Sequence, residues 1–326
     1  IAVNVPQQML FSLAIARIAK QLWPVTPAVF GGSHIDLLQD QLKSDPTYRD
    51  HFDFYVTGRT HGSLIAAVYG EPDESSGLQV PGQGTCAVVP PCPPTALPVF
   101  SSAFLYTSLV IPFSLSKGCP YSRCTFCTRP LAEGKHSGFD FQNLEYIVSM
   151  CEKLGAVLWL IDCEIPPEVL SKISAIIRGR VKWKCYIHAR DDWNQSVLLK
   201  ACKSGLKSVE IGVEALDEGT QALFDKKISF EEIAKTLSAL GGSQIEVDTN
   251  YITGAPSRDE ETEKRDIGLL KRLGKEHCPD HFRISEFPLD VFVGTKLWRN
   301  ASQFGIKILK EYDYSNTCEW VREETA

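Results

Sequence analysis

The sequence predicts an α/β protein: an open barrel of six βα repeats preceded by a smaller, incomplete doubly wound unit. Three observations carry this expectation. From residue 109 onward, short apolar segments alternate with amphipathic helical ones, the pattern of a parallel sheet with crossover helices. A briefer run of the same alternation occupies residues 7–69. Between the two, residues 71–105 collect Gly, Pro and Ser, including Pro90-Pro91-Cys92-Pro93-Pro94, which suits neither periodic element.

Taken in order, residues 7–21 begin a helical period through Leu10, Leu13, Ala14, Ile18 and Leu22. A strand at 28–30 ends in Gly31-Gly32-Ser33-His34, and a helix follows over 36–43. A second strand at 52–56 runs through Thr57-Gly58-Arg59-Thr60-His61-Gly62 into a helix over 63–69. After the linker, strands are expected at 109–115, 156–161, 182–188, 208–213, 245–252 and 281–287. Helices are expected at 142–154, 167–177, 194–204, 231–240 and 258–273. Repeats of roughly 35 residues suit an open barrel with its site at the C-terminal strand ends. The expected division is a partial α/β domain at 1–70, a linker at 71–105, the barrel at 106–290 and an extension at 291–326.

Composition narrows the class. The 326 residues suffice for one large or two modest domains. No apolar run approaches the ~20 residues of a bilayer span, so a soluble protein without a membrane partner is expected. Forty acidic residues against 34 basic ones disfavour a bulk nucleic-acid partner. Eleven cysteines, odd in number and irregular in spacing, point to a reducing compartment and a cytoplasmic location. The chain begins at Ile1 without the charged n-region of a signal peptide, and a fragment lacking its beginning is expected.

The strongest local feature is Lys117-Gly118-Cys119-Pro120-Tyr121-Ser122-Arg123-Cys124-Thr125-Phe126-Cys127, a C-x4-C-x2-C run after the first barrel strand. Three thiolates on one short loop can converge on a soft metal centre. A zinc loop or chance thiols are the competing readings. A closed structural zinc site takes four ligands, and His136 does not stand at a finger-like spacing. An iron-sulfur cluster held by three cysteines keeps one iron open for an external ligand.

The loop and the repeats resemble the radical S-adenosylmethionine (radical SAM) superfamily over residues 109 to about 290, with the aromatic Phe126 before the last cysteine. The resemblance implies that Cys119, Cys124 and Cys127 hold a [4Fe-4S] cluster whose open iron binds the amino and carboxylate groups of SAM. An electron, from a donor such as flavodoxin or ferredoxin, would then cleave SAM to a 5′-deoxyadenosyl radical. The usual spacing is C-x3-C-x2-C, so one residue is extra here, and Gly118 and Pro120 are expected to absorb the longer turn.

Further SAM contacts follow from the same resemblance. Asp162-Cys163-Glu164 stands where the family carries a Gly-Gly-Glu-like segment, which places Asp162 and Glu164 near the SAM amino group. Arg190, with Asp191 beside it, either pairs with the SAM carboxylate or is a solvated charge. Glu210-Ile211-Gly212-Val213-Glu214 resembles a Gly-Val-Glu-Ser strand end, and Glu214, a carboxylate in an apolar setting, needs a partner. Ile252-Thr253-Gly254-Ala255-Pro256 resembles the segment passing close to adenine, with Ile252 and Gly254 as contacts. Cys318 is a candidate proton or hydrogen donor at the barrel mouth. The other thiols, Cys163 among them, are expected to be small buried hydrophobes.

A partial doubly wound domain before such a barrel is similar to cobalamin-binding radical SAM enzymes. The implied fold is a partial (β/α)6 radical SAM barrel preceded by a truncated Rossmann-like cobalamin-binding domain, with Gly31, Gly32, Ser33 and Gly58 at the corrin. His34 and His61 are either further contacts or polar surface residues, and no Asp-x-His-x-x-Gly motif supplies a lower axial histidine. The function expected is a cobalamin-dependent methyltransferase acting on an unactivated carbon of a peptide or biosynthetic small molecule. The alternatives are a radical SAM enzyme of another reaction type, such as epimerisation, cyclisation or rearrangement without methylcobalamin, and a non-catalytic metal-binding module. Aromatic residues of the tail, Trp298, Phe304, Tyr312, Tyr314 and Trp320, either cover the barrel mouth or pack a core.

Overall fold

Helix α1 (Gln7–Leu22) buries Met9, Leu13 and Ala16, spaced to share one face. They join Phe30, Ile35, Leu38, Leu42, Phe52 and Tyr55 in a small core of their own. The structure is a computed structural model and describes residue 3 and residues 7–57, 78, 79, 81, 82, 109–312 and 315–323. Strand β1 (Val29–Phe30) pairs in parallel with β2 (Phe54–Val56), and α2 (Ser33–Leu37) and α3 (Gln39–Ser44) form the crossover. The single helix expected over 36–43 is therefore two, broken at Leu38.

Strand β3 (Leu78–Gln79) adds to this sheet antiparallel to β2. Gly82 N–H donates to the Leu42 carbonyl at 2.7 Å, and Arg49 Nε to the Pro81 carbonyl at 2.7 Å. These residues were expected in the linker. Their backbone groups instead complete the amino-terminal lobe, because an edge strand needs partners for its amides and carbonyls. Gly58, His61 and the helix expected over 63–69 lie outside the described residues.

The larger unit is a six-stranded parallel sheet in sequence order: β4 (Val110–Phe113), β5 (Val157–Leu160), β6 (Trp183–Ile187), β7 (Leu206–Glu214), β8 (Glu246–Thr253) and β9 (Phe282–Pro288). Every expected strand is present within a residue or two at each end. No pairing joins β4 to β9 among the described residues, so the barrel is open. Helices α4 (Arg129–Glu133), α5 (Leu144–Leu154), α6 (Pro167–Ile177), α7 (Gln195–Lys203), α8 (Glu218–Phe224), α9 (Phe230–Leu240) and α10 (Glu260–His277) intervene. Neither α4 nor α8 is expected from periodicity; at five and seven residues they are too short to show it.

The period of two sorts each strand. Trp183, Cys185 and Ile187 are buried with the helix residues Leu170, Ile173 and Leu198 in the main core. The alternate residues line the opposite face, which is polar: Lys184 Nζ lies 4.0 Å from the Trp159 ring centroid, and Ser285 Oγ donates to Asp248 at 2.8 Å. The turn into β7 requires Gly205: at its φ of +104° a Cβ would fall 2.1 Å from the Val181 carbonyl oxygen.

Past the barrel, β10 (Val291–Phe292), α11 (Lys296–Arg299), β11 (Ile306–Glu311) and β12 (Thr317–Arg322) build an antiparallel sheet in the order β10-β12-β11. Val291, Leu297 and Ile306 share a core with Ala215, Phe224, Ile252 and Ala255, against which Trp298, Phe304 and Trp320 pack. The tail thus covers the C-terminal ends of β7 and β8. Tyr314 lies outside the described residues. No helix among the described residues is long and apolar enough to cross a membrane.

Candidate cluster and cofactor site

The cysteine loop leaves β4 through a turn clamped by Asp162, at the end of β5. This carboxylate is 1% exposed and accepts Leu115 N–H at 3.0 Å, Ser116 N–H at 2.7 Å and Ser116 Oγ at 2.6 Å. Through these bonds Asp162 holds the loop that carries the cysteines. Gly118 follows at φ +68°, where a Cβ would meet the Gly134 carbonyl at 2.8 Å. Its N–H donates to Glu133 at 2.8 Å. Glu133 pairs with Arg129 at 2.6 Å, and Arg129 also donates to the Ile161 carbonyl at 3.1 Å.

Within the long spacer the left-handed residue is Ser122 (φ +47°), whose hydroxyl donates to the Cys119 carbonyl. Ser122 joins Gly118 in shaping the longer turn, its hydroxyl satisfying the left-handed backbone locally. Tyr121 donates to the Asp225 carbonyl at 2.6 Å, and Arg123 grips the Asp225 carboxylate at 3.1 and 3.2 Å. Thr125 donates to the Phe224 and Leu223 carbonyls at the end of α8 and accepts Leu297 N–H of the tail at 2.8 Å. Three distant segments thus hold the loop.

Cys124 and Cys127 are half-buried. Burial pushes the Cys124 thiol up to about 12, against the pull of Lys226, and raises that of Cys127 against a bond from the Arg129 amide. Cys119 goes the other way, to about 6, chiefly under the influence of the neighbouring Cys163 thiol, with the Ser122 and Tyr121 amides helping against burial. A charge on Cys119 is felt by both of the others. Desolvated thiolates need a positive centre to offset them. Three soft donors in such a place fit an iron-sulfur cluster with one open iron. His136, the nearest histidine, packs edge-on against Phe139 at 5.4 Å, and no three His, Cys, Asp or Glu side chains among the described residues are grouped to hold a single metal ion.

Around the loop stand the carboxylates expected from sequence. Glu164 is 9% exposed and accepts Arg190 Nη1 at 3.0 Å. Arg190 also grips Asp192, rather than its neighbour Asp191, at 2.8 and 2.9 Å. It is a paired but partly exposed cation. Glu214 ends β7 at φ +66°, after a bulge, and pairs with Lys226 at 3.0 Å. Burial draws the Lys226 ammonium down, but Glu214 and the neighbouring thiols outweigh it and leave it above an ordinary lysine. Gly212 makes room for the pair: a Cβ there would stand 2.6 Å from Glu214 and 2.7 Å from Lys226.

Lys226 is missing from the sequence-based set. Its only signal was the requirement that a buried Glu214 have a partner. Phe126 stacks edge-on against Phe224 at 5.0 Å. Gly254 keeps open space where a Cβ would project, with φ +75°. Ile252 is buried in the tail core, and its carbonyl accepts from Arg258, so its side chain serves packing. Cys318, buried opposite Val291 and Glu311, has its thiol pushed up to about 11 by burial. A buried thiol of this kind packs as a small hydrophobe.

In the amino-terminal lobe Gly31, Gly32 and Ser33 form the turn from β1 into α2, with Gly32 at φ +114°. His34 is fully buried, not a surface residue. Helix α2 lies against α4, the helix that follows the cysteine loop.

An open six-stranded parallel barrel with a cysteine loop after its first strand, and a small α/β lobe packed at that loop, is the fold of radical SAM enzymes that carry a cobalamin domain. Two solved structures make the likeness specific. Over 95% of its length the chain superposes on the radical SAM methyltransferase TsrM from Kitasatospora setae, with tryptophan substrate and the SAM analogue aza-SAM bound, at TM-score 0.70 and 14% identity, covering 67% of that protein. Over 97% it superposes on the cobalamin-dependent SAM radical enzyme OxsB, with aqua-cobalamin and SAM bound, at TM-score 0.67 and 13% identity. There the chain spans 55% of the neighbour's length. No protein-family profile and no curated protein matches the chain.

Proposed function

We propose that this chain is the catalytic part of a cobalamin-dependent radical SAM methyltransferase acting on an unactivated carbon of a peptide or biosynthetic small molecule. The observation that carries the reading is the packing of α2, which opens at the Gly31–Ser33 turn, against α4 of the three-cysteine loop. It supports a corrin and a cluster held on facing sides of one space.

When bound, a [4Fe-4S] cluster with SAM supplies a 5′-deoxyadenosyl radical and methylcobalamin supplies the methyl group. The protein's part is to bind and orient. Cys119, Cys124 and Cys127 would hold the cluster. Glu164 and Arg190, already paired, present an acceptor and a donor to the ammonium and carboxylate of SAM. Glu214, paired with Lys226, offers a second acceptor, and Gly254 allows the backbone to approach the adenine. The tail, through Leu297 and the aromatics beside Phe126, excludes water from the strand ends. A peptide or small-molecule substrate and an electron donor such as flavodoxin or ferredoxin are the partners this reading requires.

The test is anaerobic reconstitution with iron, sulfide and hydroxocobalamin, followed by incubation of methyl-labelled SAM with candidate peptides and metabolites and mass spectrometry of the products. Labile sulfide, retained corrin and a labelled carbon are expected. 5′-Deoxyadenosine without corrin or label would move the chain to another radical reaction. Tightly held zinc without labile sulfide would sink the radical assignment.

A further inference from the structure

Arg258 stands in the turn between β8 and α10 with only 1% of its side chain exposed. Periodicity puts it inside the helix expected over 258–273, but it precedes α10 and is buried. Its guanidinium donates to the Ile252 carbonyl, to Glu263 at 3.1 Å and to Asp217 at 3.3 Å, and lies 4.6 Å from the Tyr251 ring centroid. Glu263, at the start of α10, accepts the Gly254 amide at 2.5 Å on the same oxygen that takes Arg258. From the tail, Arg322 donates to the Ala255 carbonyl at 3.0 Å and to the Arg258 carbonyl at 2.9 Å. The turn over 252–258 is thus tied down along its backbone, while Gly254 itself is exposed, with nothing within 4 Å of the place a Cβ would take.

We propose that Arg258 is a positioning residue for the adenine end of the SAM site: it fixes the Gly254 turn, directly through the Ile252 carbonyl and indirectly through Glu263, without touching the base. This rests on the SAM reading given above. A buried cation between carboxylates is a weak source of net stability compared with apolar packing, so what this group supplies is geometry. The planar fork reaches three acceptors at once, and its stacking on Tyr251 fixes its plane. A lysine ammonium is a single point charge and cannot span them. Asp217 caps α8, and its amide shares Asp266 with the Leu216 amide. Through Asp217 the guanidinium therefore sets the end of β8 against the segment that follows Glu214, which keeps the Gly254 turn and the Glu214 carboxylate in register for one ligand.

The experiment measures binding of 5′-deoxyadenosine, SAM and methionine by calorimetry to the reconstituted full chain and to Arg258→Lys, Arg258→Met and Glu263→Ala, alongside iron content and thermal unfolding. Affinity for 5′-deoxyadenosine and for SAM is expected to fall about tenfold or more in each variant, with iron content and methionine binding unchanged. A folded variant that binds 5′-deoxyadenosine like the wild type overturns the proposal. So does a loss shared equally by methionine, because the effect is then on the whole structure and not on the adenine end. If neither Arg258 variant folds, Glu263→Ala, which cuts the tie to Gly254 and leaves Arg258 its bonds to Ile252 and Asp217, decides by the same criterion. A wild-type chain that binds neither SAM nor 5′-deoxyadenosine removes the SAM reading and this proposal with it; wild-type binding with unmoved variants sinks only the role of Arg258.

Discussion

Lys226 Nζ and Glu214 Oε1 meet at 3.0 Å in a pair almost closed to solvent, with side chains 8% and 13% exposed. The strand bulge before Glu214, its left-handed backbone and the absent side chain of Gly212 all serve that contact. Lys226→Met leaves the carboxylate buried without its cation. A loss of about 3–5 kcal/mol in urea unfolding is expected. A loss below about 1 kcal/mol would show that water already screens the pair.

Asp162→Ala separates the two roles considered for this carboxylate. Stranding the Leu115 and Ser116 donors is expected to cost about 2–3 kcal/mol in unfolding experiments and to lower cluster yield. SAM affinity per assembled cluster should stay unchanged. Normal stability with a selective loss of SAM affinity would restore the direct contact expected from sequence.

Glu164→Gln keeps the shape of the side chain and removes its charge. With one charge-assisted bond weakened, SAM binding to the reconstituted protein is expected to fall about tenfold or more by calorimetry, at unchanged iron content. Equal affinity would remove Glu164 from the SAM site.

Cys127→Ala is expected to lose the cluster's absorbance and EPR signal and to bring reductive SAM cleavage to background, measured as 5′-deoxyadenosine. Retention of a full cluster would place the third ligand elsewhere.

His188, at the end of β6, has its imidazole lowered to about 4 by burial and by Lys226. Between that value and the ordinary 6.5 the unfolded chain binds a proton that the folded one does not. Stability should therefore fall as pH drops from about 6.5 to about 4, by up to roughly 3 kcal/mol from this residue. In His188→Gln the acid limb of a stability-against-pH curve should be correspondingly flatter.

Much of the architecture was legible in sequence, for a local reason. Strand periodicity of two and helix periodicity of 3.6 are written in neighbouring residues, so all six barrel strands and the helices α5, α6, α7, α9 and α10 stand where expected. The short α4 and α8, the split of 36–43 and the entry of Leu78–Gln79 into the amino-terminal sheet were not legible. Each depends on what the segment packs against more than on its own period. The candidate site divides in the same way. The spacing of Cys119, Cys124 and Cys127 is local and legible, whereas Lys226 and Cys163 carry no spacing signal and the bonds of Asp162 to Leu115 and Ser116 span too much sequence to be read from it.

By itself, the sequence determined the βα alternation, the three-cysteine loop and the family they resemble. These rest on interactions within one turn or one strand, which composition and spacing record directly. Only the tertiary structure decided that Asp162 holds a backbone turn 46 residues earlier, that Cys163 reaches Gly118 across 45 residues, and that Leu297 of the tail bonds Thr125 of the loop. A buried carboxylate, thiol or ammonium takes whichever partner the fold brings to it, because leaving it unpaired costs more than any local preference supplies.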